Sequence, residues 1–181
     1  MNDGKLKIFI SSTVYGYGSD IILDQVKGCL EGFGYEVIMS KEGTVYVPIG
    51  MTNEQACLEA IKNCDLFFGI IFARYGSGIT HKEFLKAVKL DKPRWFSAHF
   101  YIEYTRKLMQ QFMFDKHKSR NTFDIKPTCV LDSLKVVDMF NDVKERWVHS
   151  YFKPNELLNF LDYQFKDIDL RRKELESYKN D

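Results

Sequence analysis

The sequence has no surplus of charge, no long apolar run and no paired cysteines, and each absence removes a class of function. Lys and Arg number 26 against 25 Asp and Glu, a formal net charge of +1. Bulk electrostatics therefore give no case for nucleic acid as a partner. No apolar run approaches the roughly 18 residues that a membrane-spanning helix needs, and residues 1–7 carry no apolar signal segment. The expectation is a cytoplasmic protein with no membrane partner. The cysteines, Cys29, Cys57, Cys64 and Cys129, form no C-x-x-C pair, and no histidine stands at zinc-finger spacing from them. They read as small hydrophobes in a reducing compartment, and no metal site is expected. Gly16 and Gly18 lack the third glycine of a dinucleotide fingerprint. There is no internal repeat, low-complexity tract or interdomain linker.

What is present suits a single α/β domain over residues 1–181. Hydrophobic residues make up 45% and aromatics 15%, enough for a sizeable core. The chain is organised around residues 65–87, DLFFGIIFARYGSGITHKEFLKA. Residues 66–72 form an apolar run that suits a strand buried on both faces. A loop of small residues follows, Tyr75-Gly76-Ser77-Gly78. Thr80, with Glu83 three places on, then spells a capping box at a helix start. Upstream, residues 7–11 read as the first strand and 12–19 as a glycine-containing loop. Ile22, Val26, Cys29, Leu30 and Phe33 mark a helix over 20–33, and 35–39 is the second strand. Residues 40–51 read as an exposed loop that could overhang the site. Thr52 and Gln55 spell a second capping box, opening a helix that buries Ala56, Cys57, Ala60, Ile61 and Cys64. The fourth strand is 94–98.

This alternation predicts a flavodoxin-like, doubly wound parallel sheet of about five strands with helices on both faces. In the order 2-1-3-4-5 the loops after strands one and three face each other across one crevice, where such folds bind ligands. The second half, 100–181, reads as an elaboration ending in a helix. A helix over 100–114 carries Tyr101, Tyr104, Leu108 and Phe112 along one side. Residues 115–121 are a basic loop, 128–131 a short strand, 134–140 a helix and 147–152 the edge strand. A terminal helix starts near Pro154 and buries Leu157, Leu158, Leu161, Phe165 and Ile168. The charged tail, 171–181, is expected to fray.

KIFISST at 7–13, CLEAIKNCDLFFGIIFARYGS at 57–77 and THKEF at 80–84 together resemble one uncharacterised family of TIR-like domains. The resemblance covers residues 5–98 well and the stretch 147–161 loosely. One departure is the loop after FISST, VYGYGSD, which lacks the family's acidic and Glu-Arg positions. Relatives of that family include TIR domains that cleave NAD and nucleoside deoxyribosyltransferases. The resemblance implies a TIR-like NAD glycohydrolase or cyclase, working in bacterial antiviral defence signalling, with NAD as substrate and no cofactor. It also implies self-association and, for a chain ending at 181, a separately encoded effector or sensor partner.

In those relatives a Glu on the helix after the third strand is the catalytic carboxylate, and Glu83 is the matching position. Cleaving an N-glycosidic bond builds positive charge at the ribose C1′, which a carboxylate stabilises or captures. On this reading Gly76, Ser77 and Gly78 let backbone approach ribose or phosphate, and Ser11, Ser12 and Thr13 donate from the facing loop. Phe9, Tyr15 or Tyr75 stacks on a base. The bland alternative is that Glu83 only caps its helix and that Ser11–Thr13 serve loop backbone. Arg74 and the Lys116–Arg120 cluster read as surface residues, and His81 as a solvated helix-start histidine. His99, Glu103 and Tyr104 are outside candidates for the crevice's far side. Two other functions stay open: a non-catalytic TIR-like module binding a nucleotide or protein, and a nucleoside deoxyribosyltransferase-like enzyme. The latter needs further carboxylates or amides, and Asp20 is the candidate. Every glycosidic reading expects Glu83 at the rim of the pocket, facing the FISST segment.

Overall fold

Five parallel strands lie in the order β2-β1-β3-β4-β5, the order the alternation predicts. They are β1 (Lys7–Ser12), β2 (Glu36–Ile38), β3 (Leu66–Ile71), β4 (Arg94–His99) and β5 (Val148–Tyr151). The computed structural model describes residues 4–13, 17–40 and 43–180, apart from the side chains of Tyr17 and Arg146. The central strand, β3, is LFFGII, and all six residues are buried. That is the composition of a strand covered on both faces.

Strand side chains alternate between faces, and the two faces carry separate cores. Phe9, Phe67, Ile71 and Phe96 pack under α2 (Asn53–Asn63), α3 (Ile79–Lys89) and α5 (Lys135–Val143). Ile8, Ile10, Phe68 and Ile70 pack under α1 (Tyr17–Gly32), α6 (Pro154–Phe165) and α7 (Ile168–Asn180). A further helix, α4 (Phe100–Met113), buries Ile102 and Met113 in the first core.

Gly69 sets how closely α3 approaches. A Cβ there would lie 2.6 Å from the Phe96 ring and 2.7 Å from that of Phe84 on α3. Only a bare backbone lets these two rings close over the strand. Gly69 also stands beside Ser11 in register. Seating Phe84 on Gly69 therefore brings its neighbour Glu83 toward the carboxyl end of β1.

Thr52 and Gln55 form the capping box that their spacing predicts: Gln55 N donates to Thr52 Oγ1 at 3.2 Å, and Thr52 N to Gln55 Oε1 at 2.9 Å. The second spelling does not. The N-cap of α3 is Gly78, in the left-handed region at φ +81°, with no side-chain cap. A glycine takes that conformation at no steric cost and starts the helix two residues early. Thr80 becomes an inner residue whose hydroxyl crosses to the Ser12 carbonyl at 3.0 Å.

Three expectations for the second half need correction. Residues 128–131 are not a strand; the Thr128 hydroxyl and amide both bond the Leu131 carbonyl and close a turn. The terminal helix is two helices, with Ile168 opening the second. Through residue 180 the tail does not fray: α7 buries Leu175, Arg172 donates to the Gly4 carbonyl at 3.2 Å, and the Tyr178 hydroxyl donates to Asp91. Among the described residues no helix is long and apolar enough to cross a membrane.

Candidate functional site

The carboxyl ends of β1 and β3 bring two distant segments together as the topology predicts. The Ser11 hydroxyl donates to Glu83 Oε2 at 2.5 Å across 72 positions of sequence. Ser11 and Glu83 are both buried, at 1% and 2% exposure. This corrects the rim position: the acid faces the FISST segment but lies beneath the surface. It caps nothing, because Gly78 holds the N-cap and Glu83 sits beyond the first turn.

The carboxyl is half satisfied. Oε2 has the Ser11 hydroxyl, whereas Oε1 is sealed from solvent with no partner of ordinary geometry among the described residues. Burial raises the Glu83 pKa above the usual carboxylate value, against smaller lowering effects of Ser11 and of the Cys57 thiol. Cys57, on α2, is itself pushed up to about 12, first by burial and then by the facing carboxyl. Sequence periodicity placed Cys57 on a buried face but gave no sign of this neighbour. Thr13, two residues past Ser11, is 5% exposed, and its hydroxyl has no partner among the described residues.

The loop after β3 is held from outside by a segment the sequence did not mark. The Asp132 carboxylate accepts the backbone N–H groups of Tyr75 at 2.8 Å and Gly76 at 3.2 Å. Arg74 donates to the carbonyls of Thr128 at 3.0 Å and Cys129 at 2.6 Å. Arg74 is thus a clamp rather than a surface residue. The Gly76 N–H that was to meet a ligand is spent within the chain. Tyr75 is half-buried; its hydroxyl shares a 3.0 Å hydrogen bond with His81 Nδ1, and His81 Nε2 pairs with Asp142 at 2.8 Å. His81 is therefore a bonded bridge between α3 and α5, not a solvated residue. Ser77 is exposed and Gly78 buried.

Phe9 cannot stack on a base. It is fully buried and lies parallel to Phe67, with ring centroids 6.0 Å apart. Ser12 serves Thr80 through its carbonyl. Tyr15 lies outside the described residues. Asp20 is half-buried in the first turn of α1. His99 is also half-buried, with its pKa lowered chiefly by burial, and its Nδ1 accepts the Tyr101 N–H at 3.3 Å. Glu103 pairs with Lys107 at 2.9 Å, and Tyr104 is 56% exposed. In the 116–120 cluster Lys116 and Lys118 are solvated as expected, while Arg120 pairs with Asp138 at 2.9 Å. Thr44, Val45, Tyr46, Pro48 and Met51 line a groove of about 250 Å³ with Lys7 and Ala56. Ser40, at the head of this loop, lies within hydrogen-bonding reach of the Cys57 thiol that faces Glu83, and residues 41 and 42 lie outside the described ones. Among the described residues no three His, Cys, Asp or Glu side chains gather as metal ligands.

Residues 7–156 match a family described as a domain of unknown function, DUF4062. No curated protein matches the chain significantly. Solved structures of similar fold include a 2-deoxyribosyltransferase from Bacillus psychrosaccharolyticus, 19% identical over 84% of this chain and 90% of that one, with a TM-score of 0.47. Others are a conserved protein from Enterococcus faecalis V583 (12% identity, 86% and 96% coverage, TM-score 0.45) and a 2-desoxiribosyltransferase from Leishmania mexicana (14%, 78% and 99%, 0.42). Likeness this distant carries no chemistry from one chain to the other.

Proposed function

The chain belongs to the DUF4062 family, and we propose that it breaks the N-glycosidic bond of a nucleoside or nucleotide, with Glu83 as the carboxylate that meets the sugar at C1′. One observation carries this reading. A carboxyl from α3 is fixed by a β1 hydroxyl through one oxygen, while its other oxygen is sealed and, among the described residues, has no hydrogen-bond partner of ordinary geometry, the Cys57 thiol lying nearby. Native interiors seldom leave such an atom unsatisfied, and perturbed carboxyls concentrate at functional sites. Ser11 fixes the rotamer, and Oε1 is the oxygen left for the sugar. The side chains that seal it must part before a sugar can enter.

Glu83 Oε1 forms a bond to C1′ as the base departs with the bonding electrons and gains a proton. The incoming nucleophile then attacks C1′, loses its own proton and frees the carboxylate. Handing the sugar to a second base, the deoxyribosyltransferase-like alternative, and hydrolysis then differ only in which nucleophile reaches C1′. The NAD glycohydrolase or cyclase reading, the TIR likeness and the defence setting rest on the sequence resemblance alone.

A second reading has its own observation. Asp132 already fills the N–H pair of the loop after β3, as suits a non-catalytic module whose Glu83 is a structural strut. The experiment offers the chain a deoxynucleoside with a second free base and, separately, NAD, and follows products chromatographically. Base exchange supports transfer, and nicotinamide release supports the NAD arm. Both must fall about 10³-fold in Glu83→Gln. Silence of the wild type on both substrates, at enzyme concentrations equal to substrate, leaves the module reading.

A further inference from the structure

Helix α4 carries apolar side chains on two sides, and the fold uses only one. Ile102 and Met113 are buried, whereas Tyr101, Tyr104, Leu108 and Phe112 are 44–56% exposed. These four recur at spacings of three, four and four residues, a single stripe about 17 Å long on an α-helix. Both ends are extended by other elements. Phe123 packs on Phe112 with centroids 5.7 Å apart, and Phe152 on Tyr101 at 5.9 Å. Phe123 and Phe152 are themselves 39% and 50% exposed.

We propose that this stripe is the contact between two copies of the chain, paired with their α4 helices antiparallel across a two-fold axis. The expected self-association thereby gains a face.

Two features point to a second copy. The first is order. A two-fold contact requires that residue i meet residue j and j meet i. With the axis beside Arg106, Tyr101 comes opposite the other copy's Phe112, and Tyr104 opposite its Leu108. The Phe123 end then meets the Phe152 end. Every large side chain of the stripe finds an apolar counterpart.

The second is area. A half-exposed aromatic leaves on the order of 100 Å² bare, so these six side chains leave roughly 600 Å². That is at the upper end for the largest patch of a monomer. With a polar rim it reaches the ~800 Å² per partner of a stable interface.

Sedimentation velocity on the full chain tests this at concentrations from about 1 to 100 µM. The expected species is twice the chain mass of 21.3 kDa. Leu108→Asp should raise the dimer dissociation constant at least about thirtyfold. Leu108→Met should leave it unchanged. Because Leu108 is outside the core, the circular dichroism spectrum and melting temperature of the dissociated Asp variant should match a wild-type sample diluted to monomer. A wild type that stays monomeric at 100 µM overturns the proposal. So does a Leu108→Asp variant that dimerises as tightly as wild type, since that places the contact elsewhere.

Discussion

Replacing Glu83 by glutamine should make this protein more stable at pH 8 and leave it unchanged at pH 4. The side chain is 2% exposed, and burial is the largest influence on its pKa, outweighing the lowering effect of Ser11. The folded pKa therefore lies above the unfolded value of about 4.5. The folded state holds the proton where the unfolded chain has released it. Stability falls as pH rises through the unfolded value toward the folded one, and the full penalty is present above both. Glutamine keeps the size and the acceptor for Ser11 but cannot ionise. The amide nitrogen of glutamine leaves a polar atom unsatisfied at the same place, about 1–3 kcal/mol in either protein, so the gain at pH 8 is what ionisation itself costs, on the order of 1–2 kcal/mol. For a chain of this length that is roughly 2–8 °C in Tm. Urea melts of both proteins at pH 4, 6 and 8 give the measurement. Lost stability at pH 8, with no pH-dependence in the difference, would refute the reasoning: Glu83 would then be a well-paired strut.

Gly69→Ala should cost about 1–3 kcal/mol, because its methyl would meet the Phe96 and Phe84 rings at 2.6 and 2.7 Å. Denaturant melts read this, and the same variant should weaken any Glu83-dependent activity, since Phe84 positions Glu83. Asp132→Ala should free the N–H groups of Tyr75 and Gly76, cost about 1–2 kcal/mol, and speed hydrogen exchange at those two amides. Unchanged exchange there would mean that the loop holds itself.

Strand order was legible because four strand patterns alternate with helical ones through residue 98, and parallel strands require such crossovers. Topology brought the loops after β1 and β3 together and the family resemblance singled out Glu83, but neither foretold the Ser11 hydrogen bond to it. The motif misled: Thr80-x-x-Glu83 spells a cap, but Gly78 at φ +81° took the cap position and freed both residues for contacts with β1. Phe9 was misassigned against its own strand, since an aromatic inside an apolar run is core before it is a binding surface. The segment 114–134 was opaque for a physical reason. Its order comes from single long-range bonds, such as Asp132 to the Tyr75 and Gly76 amides and Arg74 to the Thr128 carbonyl, and these leave no periodicity. On α4 the stripe was visible, but two apolar sides left its direction undetermined.

The central claim is that the Glu83 carboxylate meets a sugar carbon. Its most direct test is the mass of the chain quenched during incubation with a deoxynucleoside donor and no acceptor base. Carboxylate capture predicts one added deoxyribosyl group, on the peptide containing Glu83, absent from Glu83→Gln. A sugar found on another residue, or base release that continues undiminished in Glu83→Gln, would contradict it.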